Sequence, residues 1–299
     1  MSAETPTSTP ARSLSSYVTD EQLAQWHEQG YCIIENFVPA DVVADTVAQM
    51  HEIVPTYEEF VSEPDQWPEA LPLTWSDFPY RSDLMNDLVL NPAMIDFARR
   101  ALGTDDIVLA HSESITKYAS EHDFDQLMHQ DHRNNTFVVP TGDHHDQIAS
   151  ILYLTDVTID MGPTKVVSYA DGAPWNDQSH VSRDDAPELY EAEHAITVPA
   201  GSIFLYSMRT FHRGSAMFAD EGLRHTIHVA YQRRDMTWGG WRSFVRHGQR
   251  GWMHDLLSRI SPDQRSMIGF PPPGDPYWSP ESIEAVQRRY PDMDLTPYA

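Results

Sequence analysis

The chain has 299 residues, of which 40% are apolar and 22% charged, and its net charge is −25. That length buries a sizeable core without staples, and the composition excludes wholesale disorder. The acidity argues against a nucleic-acid or anionic-membrane binder, and the single cysteine, Cys32, excludes a disulfide framework or a Cys-based metal site.

Residues 1–16 are rich in Ser, Thr and Pro, lack the apolar stretch of a secretory signal, and are expected to be a disordered tail. Thr19-Asp-Glu-Gln22 has the form of a capping box, with Leu23 and Trp26 at helical spacing and Gly30 as the stop. Residues 31–37 read as a strand. Val43, Val47, Met50 and Val54 fall on one helical face that Pro55 ends. Residues 56–80 read as an irregular packed loop, and a helix is expected from Asn91 to Leu102, closed by Gly103. Beyond it, segments 106–119, 134–140, 147–155, 164–169, 195–206 and 223–233 are short, β-branched or aromatic, and separated by Gly, Pro and Asp. That texture predicts a β-sandwich or barrel, so the fold is expected to be mostly β with flanking helices. Residues 236–299 are rich in Trp, Arg and Pro and are expected to form an irregular C-terminal extension packed on the same domain. No apolar run approaches the ~18 residues that span a bilayer. One cysteine suits a reducing compartment, and a cytoplasmic location is expected.

Histidine is abundant, at 15. A mononuclear non-haem iron site needs two imidazoles and one carboxylate on one face of the metal. His-x-Asp at a strand end supplies two of these, because residues i and i+2 point the same way. Two tripeptides have this form, His129-Gln-Asp131 and His144-His-Asp146. Composition alone produces about one by chance, so the tripeptide is weak evidence by itself. His212 follows an apolar strand and can supply a third ligand. Arg224 leads into another strand, where its fork suits the far end of a dicarboxylate. Thr226 shares its face.

These residues resemble the phytanoyl-CoA dioxygenase family of iron(II)- and 2-oxoglutarate-dependent oxygenases over about residues 17–235. The resemblance is carried by residues 30–37, His129-Gln-Asp131, the stretch 154–167 with its Gly162-Pro163, the Ala200-Gly-Ser strand leading to His212, and Arg224-x-Thr226. It implies a double-stranded β-helix (jelly-roll) core behind an N-terminal helical layer. It implies His129, Asp131 and His212 as iron ligands, and Arg224 with Thr226 as the clamp for the distal carboxylate of 2-oxoglutarate. It also favours His129 over His144, since the family motif lies roughly twenty residues ahead of the strand holding Leu152 and Leu154. The implied reaction consumes 2-oxoglutarate and O2, releases succinate and CO2, and hydroxylates an unactivated C–H bond. Related halogenases replace the carboxylate by a small residue, so Asp131 points to hydroxylation. Departures are Ser168-Tyr169, where the family often has Ser-His, and aliphatic Ile151, where it often has an aromatic.

Two other classes stand beside this reading: a non-catalytic jelly-roll binding protein, and a cupin-like metal enzyme that does not use 2-oxoglutarate. Lys117 precedes His129 on a strand and can touch the cosubstrate, or face solvent. His225 and His228 point to opposite faces of their strand and read as packing or surface. Between Arg209 and Arg265 ten arginines meet five acids in an otherwise acidic chain, with Arg209 and Arg213 flanking His212. A small, anionic organic substrate is therefore expected.

Overall fold

The computed structural model describes residues 13–63, 75–119, 121, 123–131, 147–176, 178, 180–235 and 251–299. Residues 134–140, expected as a strand, and the His144–Asp146 tripeptide lie outside the described residues.

The N-terminal layer is built as its capping signals dictate. Helix α1 (Asp20–Gln29) starts at a Thr19–Gln22 capping box and stops at Gly30, whose φ is +83°. A Cβ there would lie 2.5 Å from the Tyr169 ring, so this stop admits only glycine. Strand β1 (Tyr31–Ile34) leads to α2 (Ala40–Met50). The stretch expected to be an irregular loop holds α3 (Tyr57–Ser62) and β2 (Trp75–Asp77). The signal for α3 is a second capping box, Thr56–Glu59. Helix α4 (Asp83–Val89), capped by Ser82, precedes α5 (Pro92–Leu102), capped by Asn91 and closed by Gly103.

The remaining strands are β3 (Ile107–Tyr118), β4 (Met128–His129), β5 (Gln147–Tyr153), β6 (Thr164–Val166), β7 (His180–Val181), β8 (His194–Ala195), β9 (Ile203–Ser207), β10 (His212–Gly214) and β11 (Leu223–Arg233). Short helices α6 (Tyr169–Gly172) and α7 (Pro187–Glu191) lie among them. Among the described residues they form two antiparallel sheets. One is six-stranded, in the order β1-β9-β5-β11-β3-β2; the other is five-stranded, in the order β7-β4-β10-β6-β8.

The six-stranded sheet is buried on both faces. On its outer face Leu152, Ile203, Leu205, Ile227, Val229 and Tyr231 join one core with Trp26, Val42, Met50, Leu88 and Phe97 of the helical layer. Helices α8 (Gly251–Arg259), α9 (Pro262–Met267) and α10 (Pro280–Arg289) contribute to the same core through Leu256, Leu257, Met267 and Val286. The extension is thus more regular than its Pro content suggests, with Ser261 and Ser279 as helix caps. The inner face carries Ile151, Tyr153, Phe204 and Tyr206 against Val166 of the five-stranded sheet. Among the described residues no helix is long and apolar enough to cross a membrane.

Candidate metal centre and cosubstrate pocket

Strand register brings the predicted ligands together. His212 opens β10 in the five-stranded sheet, after a turn from β9, and pairs directly with His129, the last residue of β4. Asp131 follows two residues on. The ligand atoms of His129, Asp131 and His212 all lie within 4.8 Å of one another. All three residues are buried, with 9%, 8% and 6% of their surface exposed.

Both imidazoles are oriented by the backbone. His129 Nδ1 lies 2.9 Å from the Leu127 carbonyl and His212 Nδ1 lies 3.0 Å from the Thr210 carbonyl. A carbonyl only accepts, so each Nδ1 carries a proton and Nε2 is the nitrogen that each ring turns toward Asp131. Nε2 of His129 is 3.5 Å from Asp131 Oδ1, and Nε2 of His212 is 3.4 Å from Oδ2. With Nε2 of both rings deprotonated, two imidazoles and one carboxylate converge on one point and fit a divalent first-row metal. The Tyr206 hydroxyl donates to Asp131 Oδ2 at 3.2 Å. Burial alone would raise the Asp131 carboxyl, but the charge of His212 and hydrogen bonds from His129 and Tyr206 outweigh it and hold it well below the usual range. Burial, reinforced by Asp131, pushes the Tyr206 phenol well up, so it stays a donor.

The three candidate ligands line a cavity of about 390 Å³ between the sheets, which Arg224, Lys117, Glu113, His111 and His228 also line. Arg224 is 5% exposed. Its Nη1 donates to the Gly162 carbonyl, and its buried Nε has no hydrogen-bond partner. Gly162 sits at φ +64°, and a Cβ there would meet the Ser215 carbonyl at 2.8 Å; glycine keeps this carbonyl against the guanidinium. Burial lowers the affinity of Arg224 for its proton, yet a guanidinium remains charged. A buried, half-satisfied fork facing a cavity fits a carboxylate ligand. Lys117 is the cross-strand partner of Arg224. Burial, then the Arg224 charge, pushes its amine down to about 7, with Asp125 opposing.

Other predicted residues lie elsewhere. Thr226 is fully buried beside this row, but its hydroxyl donates to the Ile115 carbonyl at 3.2 Å and lies 3.2 Å from His228 Nε2. It is not among the cavity-lining residues. His225 packs on the outer face, 2.8 Å from Thr116 Oγ1 and edge-on to His51. His228, expected as packing or surface, lines the cavity instead. Arg213 does not: it grips Glu193 through Nε at 2.8 Å and Nη2 at 2.9 Å, and Asp125 through Nη1 at 2.8 Å. Arg233 pairs with Asp235 and Arg259 with Asp83 and Asp87. Three arginines of the basic segment, Arg213, Arg233 and Arg259, are thus paired with acids outside the cavity. The sequence reading missed Tyr206, Glu113, His111 and His228 as pocket residues. For His228 the signal was present, since Arg224, Thr226 and His228 alternate on one strand face.

Comparison with solved structures gives the same architecture. EctD from S. alaskensis, in its apoform, matches with a TM-score of 0.58 and 16% identity, over 76% of this chain and 82% of that one. HygX from Streptomyces hygroscopicus, with nickel and 2-oxoglutarate bound, matches with a TM-score of 0.54 and 16% identity, over 76% and 91%. The non-heme alpha ketoglutarate dependent carbocyclase SnoK from nogalamycin biosynthesis matches at 0.52 and 21%, over 71% and 83%. These likenesses show the fold. No curated protein matches. The family profile of phytanoyl-CoA dioxygenase (PhyH) matches residues 26–225, two-thirds of the sequence, a span that holds His129, Asp131, His212 and Arg224, and the chain belongs to that family.

Proposed function

We propose that the chain is an iron(II)- and 2-oxoglutarate-dependent oxygenase that hydroxylates an unactivated C–H bond of a small organic substrate. His129, Asp131 and His212 hold the metal, and Arg224 takes the distal carboxylate of 2-oxoglutarate. When bound, the iron and 2-oxoglutarate supply O2 activation coupled to release of succinate and CO2. The protein's own residues orient and enclose. The Leu127 and Thr210 carbonyls fix the two imidazoles, Tyr206 fixes Asp131, and the apolar inner wall around Ile151 and Phe204 limits water.

The observation that carries the reading is the conjunction of a convergent His-Asp-His cluster and a half-satisfied buried arginine in one cavity. A metal enzyme without 2-oxoglutarate would have no use for Arg224 there, and a binding protein no use for the oriented triad. The fold also carries an epimerase, SnoN, and a carbocyclase, SnoK. Hydroxylation is favoured over halide transfer because Asp131 fills the position a halide would need.

The test is succinate production. Protein reconstituted with iron(II) under argon, then given 2-oxoglutarate and air, should form succinate, faster with an acceptable substrate. Succinate no higher than in His129→Ala protein would refute the reading.

A further inference from the structure

Little backbone joins the two segments that carry the triad. Strand β4 is two residues long, and its ladder with β10 has one registered pair, His129 with His212. Asp131 lies beyond the end of β4. One pair fixes where two strands meet and leaves them free to pivot about it. A metal site needs its ligand atoms held to about 0.5 Å, so a further contact must remove that freedom.

Gln130, between the first two ligands, supplies it. Alternation turns His129 and Asp131 to one side and Gln130 to the other: the first two line the cavity and Gln130 does not. Gln130 is 1% exposed. Its Nε2 donates to the Arg209 carbonyl at 2.7 Å and to Asn176 Oδ1, just past α6, at 2.8 Å. A carboxamide nitrogen has two protons, and both are used. Arg209 precedes Thr210, whose carbonyl orients His212 Nδ1. The same turn is anchored from another direction by the Gly30 carbonyl, which accepts from Thr210 Oγ1 at 2.7 Å and from the Ser207 amide at 2.9 Å. Gln130 and Gly30 thus grip the β9–β10 turn together.

The orientation of the amide is forced. Reversing it would set Oε1 against the Arg209 carbonyl, two acceptors with no proton between them. As it stands, Oε1 is buried without a hydrogen-bond partner. An unpaired buried acceptor is destabilising, and an apolar side chain of the same shape would avoid that cost. The two donors are therefore what this position keeps.

We propose that Gln130 is a positioning residue, whose carboxamide locks the His129–Asp131 segment to the turn that carries His212 and so sets the spacing of the three ligands. This deepens the oxygenase reading and rests on it for the metal at the triad.

The test is a cobalt(II) titration of the full chain, with affinity read against a competing chelator and geometry read from the visible bands. Gln130→Met keeps the length of the side chain and removes both donors. Its cobalt affinity should fall about ten- to a hundredfold, and its bands should move. The melting temperature of the metal-free protein should change little, because the unpaired acceptor leaves with the donors. Asn176→Leu, which spares the bond to Arg209, should move the bands in the same direction by less. A role in packing alone would lower the melting temperature and leave the bands in place. Wild-type affinity and bands in Gln130→Met would overturn the proposal. If Gln130→Met does not fold, Asn176→Leu decides, and bands at their wild-type positions overturn it. A wild-type protein that binds no cobalt would sink the metal-centre reading and this proposal with it, whereas intact binding that Gln130→Met leaves unaltered would sink the proposal alone.

Discussion

His129 and His212 are directly opposed residues of the antiparallel pair β4–β10, so two candidate ligands far apart in sequence meet by backbone register. Each is further held by the carbonyl two residues before it. Replacing either by alanine should therefore remove the metal site without disturbing the fold. Iron retained after dialysis should drop by more than the ten- to hundredfold typical of losing a mere supporting contact. The melting temperature of the metal-free protein should change little. His144→Ala should keep its iron; loss of iron in that variant alone would show that the other tripeptide is the ligand pair.

Arg224 should govern the cosubstrate and not the metal. Removing one partner of a buried charged pair costs about 3–5 kcal/mol. That is a weakening of 2-oxoglutarate binding by roughly 10²- to 10³-fold for Arg224→Met. Arg224→Lys should recover part of it, because an ammonium lacks the fork. 2-Oxobutyrate, which has no distal carboxylate, should be nearly indifferent to both changes. Thr226→Val should cost about 1 kcal/mol or less, since its hydroxyl is already bonded to the Ile115 carbonyl.

Lys117 should make cosubstrate binding pH-dependent. Burial and the neighbouring Arg224 push its amine down to about 7, and the protonated form is the one that attracts a dianion. Affinity is therefore full below about pH 7 and falls as pH rises, by up to about tenfold per unit, until the amine of the complex itself titrates. Calorimetry at pH 8 in two buffers of different ionisation enthalpy should show proton uptake on binding. Lys117→Met should abolish both the uptake and the slope. Affinity that is flat from pH 7 to 9 in the wild-type protein would contradict this role.

Tyr206 should act on the metal through Asp131. Phenylalanine keeps the stack with Phe204, at 4.7 Å between ring centroids, and removes only the 3.2 Å hydrogen bond to Oδ2. Metal affinity of Tyr206→Phe should fall about ten- to hundredfold with little change in stability. The visible spectrum of the cobalt(II)-loaded variant should shift as the freed carboxylate oxygen approaches the metal. An unchanged spectrum and affinity would make Tyr206 a packing residue only.

Most of the triad and its arginine were legible because strand alternation turns spacing into direction: His129 with Asp131, and Arg224 in an apolar strand. Helices α1 and α5 were legible through Thr19, Gly30, Asn91 and Gly103, which punctuate the backbone locally. Helices α3 and α4 were not, because at six and seven residues they are too short to show a helical period, and only the Thr56 and Ser82 caps mark them. Strands β4, β7, β8 and β10 are two or three residues long and too short to show a period; only pairing defines them. The chemistry of the far wall was hidden for another reason. Glu113 and His111 lie within a twelve-residue strand whose inner face turns polar, and only the opposing sheet makes that face a cavity.

The most direct measurement is an anaerobic optical titration of the metal-free protein with iron(II) and 2-oxoglutarate. Chelation of iron by 2-oxoglutarate at the triad should produce a weak visible charge-transfer band that saturates at one iron and one 2-oxoglutarate per chain. The band should be absent from His212→Ala and should need far more 2-oxoglutarate in Arg224→Met. No band in the wild-type protein, or an equal band in His212→Ala, would contradict the placement of iron and cosubstrate in this cavity.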